Sequence, residues 1–150
     1  MKVISDPKNR QVEIQLRNLD KVTVRGIRQA FYKIGALAVR TINENVLKKP
    51  RSGRVYKRKG RRHRSSVAGE SFANKTGAAR KTRGFDVRGA QELEFGFRDK
   101  NNTDYTAFLE NGTSKMRSRP TVGIASRSTQ GRAMTIMKKE LKDAHDKGYR

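Results

Sequence analysis

The sequence predicts an α+β fold in which a small antiparallel sheet is packed by a long N-terminal helix and a C-terminal helix, with a long basic loop or arm between them. Three observations carry this expectation. Apolar residues recur in steps of three and four through 24–46 and again through 133–144, the spacing of helices with one apolar face. Apolar and polar residues alternate through 85–87 and 93–97, the period of half-buried strands. Residues 48–64 hold ten Lys or Arg and no acid, so this stretch is expected as a loop or arm rather than as part of the core. At 150 residues the chain is the size of one domain, with a body at 11–47 and 77–147 and the basic arm at 48–76.

The elements follow in order. Val12, Ile14 and Leu16 alternate with Gln11, Glu13, Gln15 and Arg17, which predicts a first strand. With Asn18 or Asp20 as N-cap, Val24, Ile27, Phe31, Ile34, Ala38, Ile42 and Val46 form one stripe on a helix over 20–47, stopped by Pro50. Within the arm, Lys59-Gly60 is placed to turn a short ribbon. Phe85 and Val87, a turn at Gly89-Ala90, then Leu93, Phe95 and Phe97 predict an antiparallel hairpin. Tyr105, Phe108 and Leu109 share the face of a short helix, and Gly112 stands where a left-handed residue ends it. Arg119-Pro120 opens an extended connection, 121–126, before a last helix starting at Ser128 or Thr129, with Ala133, Met137, Leu141 and Ala144 on its apolar face.

Composition limits the chemistry. Lys plus Arg number 36 against 14 Asp plus Glu, a net charge of +22, and that excess calls for an anionic partner. With no cysteine there is no disulfide framework, no Cys-ligated zinc and no thiol nucleophile. The longest apolar runs are a few residues, so no membrane span is expected, and the charged N-terminus lacks the apolar stretch of a secretion signal. His63 and His145 have no partner at metal-binding spacing. Glu92 and Glu94 flank Leu93 on one strand face, where they read as solubilising rather than as an acid/base pair. No glycine-rich phosphate loop is present, so neither a catalytic set, a metal nor a cofactor is expected.

The arm is the strongest compositional signal. Arg51, Arg54, Lys57, Arg58, Arg61, Arg62 and Arg64 suit either phosphate neutralisation on nucleic acid or docking on an acidic protein rim, and the residues leave both open. Phe31, Phe95, Phe97, Tyr105, Phe108 and Met137 sit at core-like spacing and are assigned to packing.

The segment from Tyr105 through Phe108, Glu110, Gly112-Thr113 and on to Arg119-Pro120 resembles the signature of phage head–tail connector proteins, the neck or tail-completion proteins of long-tailed bacteriophages. The likeness extends to a strand and a long helix before it, a Thr76-Gly77 step after a long loop, and a C-terminal helix after Arg119-Pro120. The chain departs from it at Ala78-Ala79, where a large apolar residue is usual, and at Thr121, where an aromatic is common. The resemblance implies a non-enzymatic virion subunit, made in the host cytoplasm, that forms a ring of commonly six copies between portal-side connector and tail-tube proteins and is able to meet packaged DNA. It places Tyr105, Glu110, Gly112, Thr113, Arg117, Arg119 and Pro120 at an assembly interface. The rival expectation is a basic nucleic-acid-binding protein.

Overall fold

A computed structural model of the chain describes residues 7–58, 60–72, 81–97 and 103–148. The architecture is α+β, with helices and two separate two-stranded antiparallel sheets. Helix α1 spans Pro7–Thr41 and runs into a π-helical turn, Ile42–Leu47. Strands β1 (Val55–Arg58) and β2 (Arg61–Arg64) form the first ribbon, and β3 (Arg83–Arg88) and β4 (Glu92–Phe97) the second. Helices α2 (Thr103–Asn111) and α3 (Val122–Gly148) complete the chain.

The expected strand at 11–17 is instead helix, the first turns of α1. Val12, Leu16 and Leu19 are also spaced by four and three, and the intervening Gln, Glu and Arg are good helix formers, so alternation over so few residues did not decide the period. Pro7 at the start carries no amide that an intrahelical bond would need, so Asn18 and Asp20 lie inside the helix rather than capping it.

The buried line of α1 is rotated by about one position from the expected stripe. Gly26, Ala30, Gly35 and Ala38 are covered, whereas Ile27, Phe31 and Ile34 are half-buried and Val24 is exposed. Small residues on this line let α3 approach closely: a Cβ on Gly26 would lie 2.9 Å from Ala144 Cβ and 3.2 Å from the Glu140 carbonyl oxygen. Across the same helix pair, the Lys33 ammonium donates to the buried Glu140 carboxylate. A carboxylate taken out of water needs such a partner.

The expected antiparallel hairpin is β3–β4, whose register sets Phe85 opposite Phe95 and Val87 opposite Leu93. Its turn uses Gly89 at φ +63°, a conformation that glycine reaches without the Cβ penalty. Docking is onto α1: the Phe85 ring occupies the space that a side chain on Gly35 would need, and Tyr32 meets it edge-on with centroids 6.2 Å apart. Both long helices pack on each other and on the hairpin as expected, the hairpin lying chiefly against α1 and meeting the start of α3 where a Cβ on Gly96 would stand 3.8 Å from Val122.

The core sits beyond the C-terminal end of α1, where five segments converge. Ile42, Leu47, Phe72, Leu109 and Ala125 are buried together, with Phe95, Phe97, Met116 and Ile124 packed against them. The Phe72 and Phe97 rings stand 5.2 Å apart, within the favourable range for tilted aromatic pairs. Phe108, assigned to packing with Leu109, is 52% exposed while Leu109 is 4% exposed. On a two-turn helix, neighbours point about 100° apart, and only one of them can face the core.

Helix α3 begins at Val122, so the expected extended connection at 121–126 is its first turns. Ser128 and Thr129, expected at the start of this helix, donate their hydroxyls to the Ala125 carbonyl from inside it, both at 2.9 Å. Ala133, Met137, Leu141 and Ala144 are all partly covered, as their spacing predicts. Among the described residues no helix is long and apolar enough to cross a membrane.

Candidate functional site

Two regions collect the residues singled out from the sequence: the corner from α2 to α3, and the basic ribbon. At the corner, α2 ends on Gly112 at φ +82°, whose amide donates to the Phe108 carbonyl at 2.8 Å. A Cβ there would meet the Met116 carbonyl oxygen and the Ser118 nitrogen, each at 2.8 Å, so the reversal requires glycine twice over. Thr113 closes the turn. Its backbone exchanges hydrogen bonds with Met116, and its hydroxyl accepts from the amides of Lys115 at 3.3 Å and Met116 at 3.1 Å. The Arg119 amide then donates to the Leu109 carbonyl at 2.7 Å, bringing the chain back alongside α2.

Glu110 is the centre of this corner. Its carboxylate accepts from the backbone amides of Thr121 at 2.7 Å, Val122 at 3.1 Å and Gly123 at 2.8 Å, three consecutive donors at the start of α3. The first turn of α3 contains no acid, so Glu110, from the preceding helix, supplies the negative charge that a helix N-terminus favours. Thr121 is fully buried, and its hydroxyl is engaged elsewhere, accepting from the Phe72 amide at 3.4 Å.

Of the residues expected at an assembly interface, the structure thus gives Glu110, Gly112 and Thr113 intramolecular work. Pro120 is half-covered against the start of α3, and the Arg119 Nε is buried without a hydrogen-bond partner among the described residues. Arg117 is exposed. The side chain of Tyr105 and the Thr76-Gly77 step lie outside the described residues.

The arm is more ordered than a loop. β1 and β2 pair in register, with Val55 opposite Arg64, Tyr56 opposite His63, Lys57 opposite Arg62 and Arg58 opposite Arg61. Gly60 at φ +76° occupies the turn expected at Lys59-Gly60, of which Lys59 lies outside the described residues. Arg54, Lys57, Arg61, Arg62 and Arg64 are all exposed, and the Arg54 guanidinium stands 6.0 Å over the Tyr56 ring. The side chain of Arg58 lies outside the described residues.

The root of the ribbon is fastened to the body. Gly53 donates to the Ser65 carbonyl and Ser65 to the Arg54 carbonyl, both at 3.0 Å, and a Cβ on Gly53 would stand 2.6 Å from Ser65 oxygens. Arg51, counted among the arm cations, is partly buried and donates to the Phe72 carbonyl at 3.2 Å. Burial lowers its pKa, and the nearby Glu70 carboxylate opposes that shift. Gly69 donates to the Ser118 carbonyl at 3.1 Å, joining the ribbon root to the α2–α3 corner.

Glu70 was not singled out from the sequence. Its carboxylate accepts from the Ser52 hydroxyl, from the Ser52 amide at 3.3 Å and from the Val67 amide at 3.1 Å. The signal available was that Glu70 is the only acid between Glu44 and Asp86. The Ser52 hydroxyl first, and then the Val67 amide, hold its carboxyl below the usual carboxylate range. A depressed folded-state pKa means that this clip contributes stability above the ordinary value near about 4.3, and loses it as pH falls through the folded value. Glu70→Gln is therefore expected to lower the amide protection factors at 52–54 and 65–67 at pH 7, and to abolish the loss of protection that the parent shows on acidification. Equal exchange in the two proteins at pH 7 would mean that the clip does not hold the root.

Among the described residues no group of His, Cys, Asp or Glu is arranged to hold a metal ion. Comparison of the chain with protein-family models, with curated proteins and with solved structures finds no match.

Proposed function

We propose that the protein is a structural subunit of the head–tail junction of a long-tailed bacteriophage, a neck or tail-completion ring component joining portal-side connector to tail tube. The observation that carries the reading is the 105–120 segment. The residues that give the resemblance, Glu110, Gly112-Thr113 and Arg119-Pro120, form one self-bonded corner that fixes α2 against α3. A motif that builds a rigid corner has a structural use that needs no chemistry, and it suits a subunit whose work is geometric and electrostatic. Exposed Phe108 on α2 and Arg117 beyond the turn flank that corner, on a surface available to neighbouring copies.

The test is electron microscopy of lysates from a phage whose copy of this reading frame carries a stop codon. DNA-filled heads lying beside free tails are expected, and heads with attached tails would remove the reading. In the same assay, replacing Arg54, Arg58, Arg61 and Arg62 by Ser is expected to leave the circular dichroism and melting of the protein unchanged and to block attachment. Normal joining by that variant would deny the arm a role in it.

The exposed cationic ribbon favours one other reading, a basic nucleic-acid-binding protein. Such a protein would bind free duplex tightly as a single chain, whereas a ring subunit that relies on many copies would bind it weakly.

A further inference from the structure

We infer that the β1–β2 ribbon is a groove-filling element for double-stranded nucleic acid, held by phosphates on both of its faces and blind to base sequence. The inference deepens the head–tail reading, on which it rests for identifying the duplex as DNA passing through the ring. Its physical ground is the register. Side chains alternate across a strand, so Lys57, Arg62 and Arg64 belong to one face and positions 58 and 61 to the other. Lys57 is registered directly opposite Arg62 on one face, and positions 58 and 61, both arginine, are registered opposite each other on the other, a pairing of like charges that is repulsive unless anions sit between or beside them.

A flat acidic protein surface meets one face of a ribbon and leaves the like-charged pair on the other uncompensated. A groove has anionic walls on both sides. The major groove of B-form DNA is about 12 Å wide and admits a two-stranded ribbon, with phosphates along each rim. Tyr56 and His63 are opposite each other on the same face as positions 58 and 61, and no Asn, Gln or acid stands on the ribbon to read base edges, which fits phosphate and sugar contact.

The chain's own acids offer a poor alternative. Among the described residues, the open face of the β3–β4 hairpin places Asp86 opposite Glu94, with Glu92 nearby, an acidic patch that a second copy would present. Arg88 already bonds both Glu92 and Glu94, at 3.4 and 3.1 Å, so little net charge remains to offset a ribbon carrying five exposed cations, Arg54, Lys57, Arg61, Arg62 and Arg64. The fastened root completes the case: Glu70, Ser52 and Arg51 tie the base of the ribbon to the body, so the strands project as a preformed unit and lose little further freedom on entering a groove.

The test is fluorescence anisotropy of the full chain on a labelled mixed-sequence duplex of 20 base pairs and on one of its strands alone, between 50 and 200 mM salt. If the five cations on the two strand faces, Lys57, Arg58, Arg61, Arg62 and Arg64, each neutralise a phosphate, the slope of log K against log salt is about −4.5, a loss of about 500-fold over that range, with a Kd between about 10⁻⁴ and 10⁻⁶ M at physiological salt. Two variants separate the faces. Lys57→Ser with Arg62→Ser and Arg64→Ser is expected to flatten the slope by about 3, and Arg58→Ser with Arg61→Ser by about 2. Either variant keeping the parent slope overturns the inference, because only one face would then touch the anion. So does a single strand bound as tightly as the duplex, or absence of duplex binding together with salt-sensitive self-association in sedimentation, which would make the acidic hairpin of a second copy the occupant. A chain that ignores DNA while its stop codon still separates heads from tails would sink the groove and leave the junction role standing. Nanomolar binding by the single chain would do the reverse.

Discussion

Glu110→Ala is expected to lower the melting temperature by about 6–12 °C. The variant strips the acceptor from three consecutive amides at the start of α3. A lost helix cap costs about 0.5–2 kcal/mol, and a covered amide left without a partner costs about 1–3 kcal/mol. The combined effect is taken as roughly 3 kcal/mol, and each kcal/mol moves the midpoint of a domain this size by about 2–4 °C. Glu110→Gln keeps one acceptor oxygen and should fall between parent and Ala variant. Differential scanning calorimetry decides the matter, and an Ala variant melting within about 2 °C of the parent would show that α3 does not depend on this cap. The consequence reaches beyond α2 and α3, because Thr121 also accepts from Phe72, and Phe72 leads directly to the ribbon root.

Gly35→Ala is the second large effect, and its sign is the informative part. In an exposed helix interior the change from Gly to Ala stabilises by about 1 kcal/mol. At this position a Cβ would stand 2.3 and 2.5 Å from two carbons of the Phe85 ring, too close for the hairpin to remain seated. Overpacking of this kind costs typically about 1–3 kcal/mol, so a net loss near 2 kcal/mol is expected in denaturant titration. In a Phe85→Ala background the same substitution should become stabilising, a coupling of about 2–3 kcal/mol between the two positions. A stabilised single variant would mean that the hairpin does not press on α1 at Gly35.

These two sites show where the sequence was legible. The β3–β4 hairpin could be read because five apolar residues alternate on either side of a glycine turn, and that pattern is local. Gly112 could be read as the end of α2 because left-handed backbone strongly favours glycine. The start of α3 could not be read, because its cap comes from a residue on another helix, eleven or more positions upstream of the amides it holds. Ser128 and Thr129 look like caps by residue type, yet inside an established helix their hydroxyls simply turn back onto a carbonyl.

The basic arm divides in the same way. Its charge and its glycine turn are properties of the chain, and so was the expectation of anionic contact. The register, the root clip through Glu70 and the partial burial of Arg51 come only from the folded molecule, since each depends on a partner that adjacency in sequence does not supply.

By itself, then, the sequence determined the α+β class, the hairpin, the two long helices in outline and the concentration of cations, because periodicity and charge act between near neighbours. Tertiary structure alone decided that 11–17 belongs to α1 rather than to a strand, that the helix's buried line is the row of small residues, and that Glu110 works inside the molecule. The physical reason is common to all three. Each is settled by which surface lies opposite, and a helix face, a free amide or a gap the width of a phenyl ring exists only once two distant segments have met.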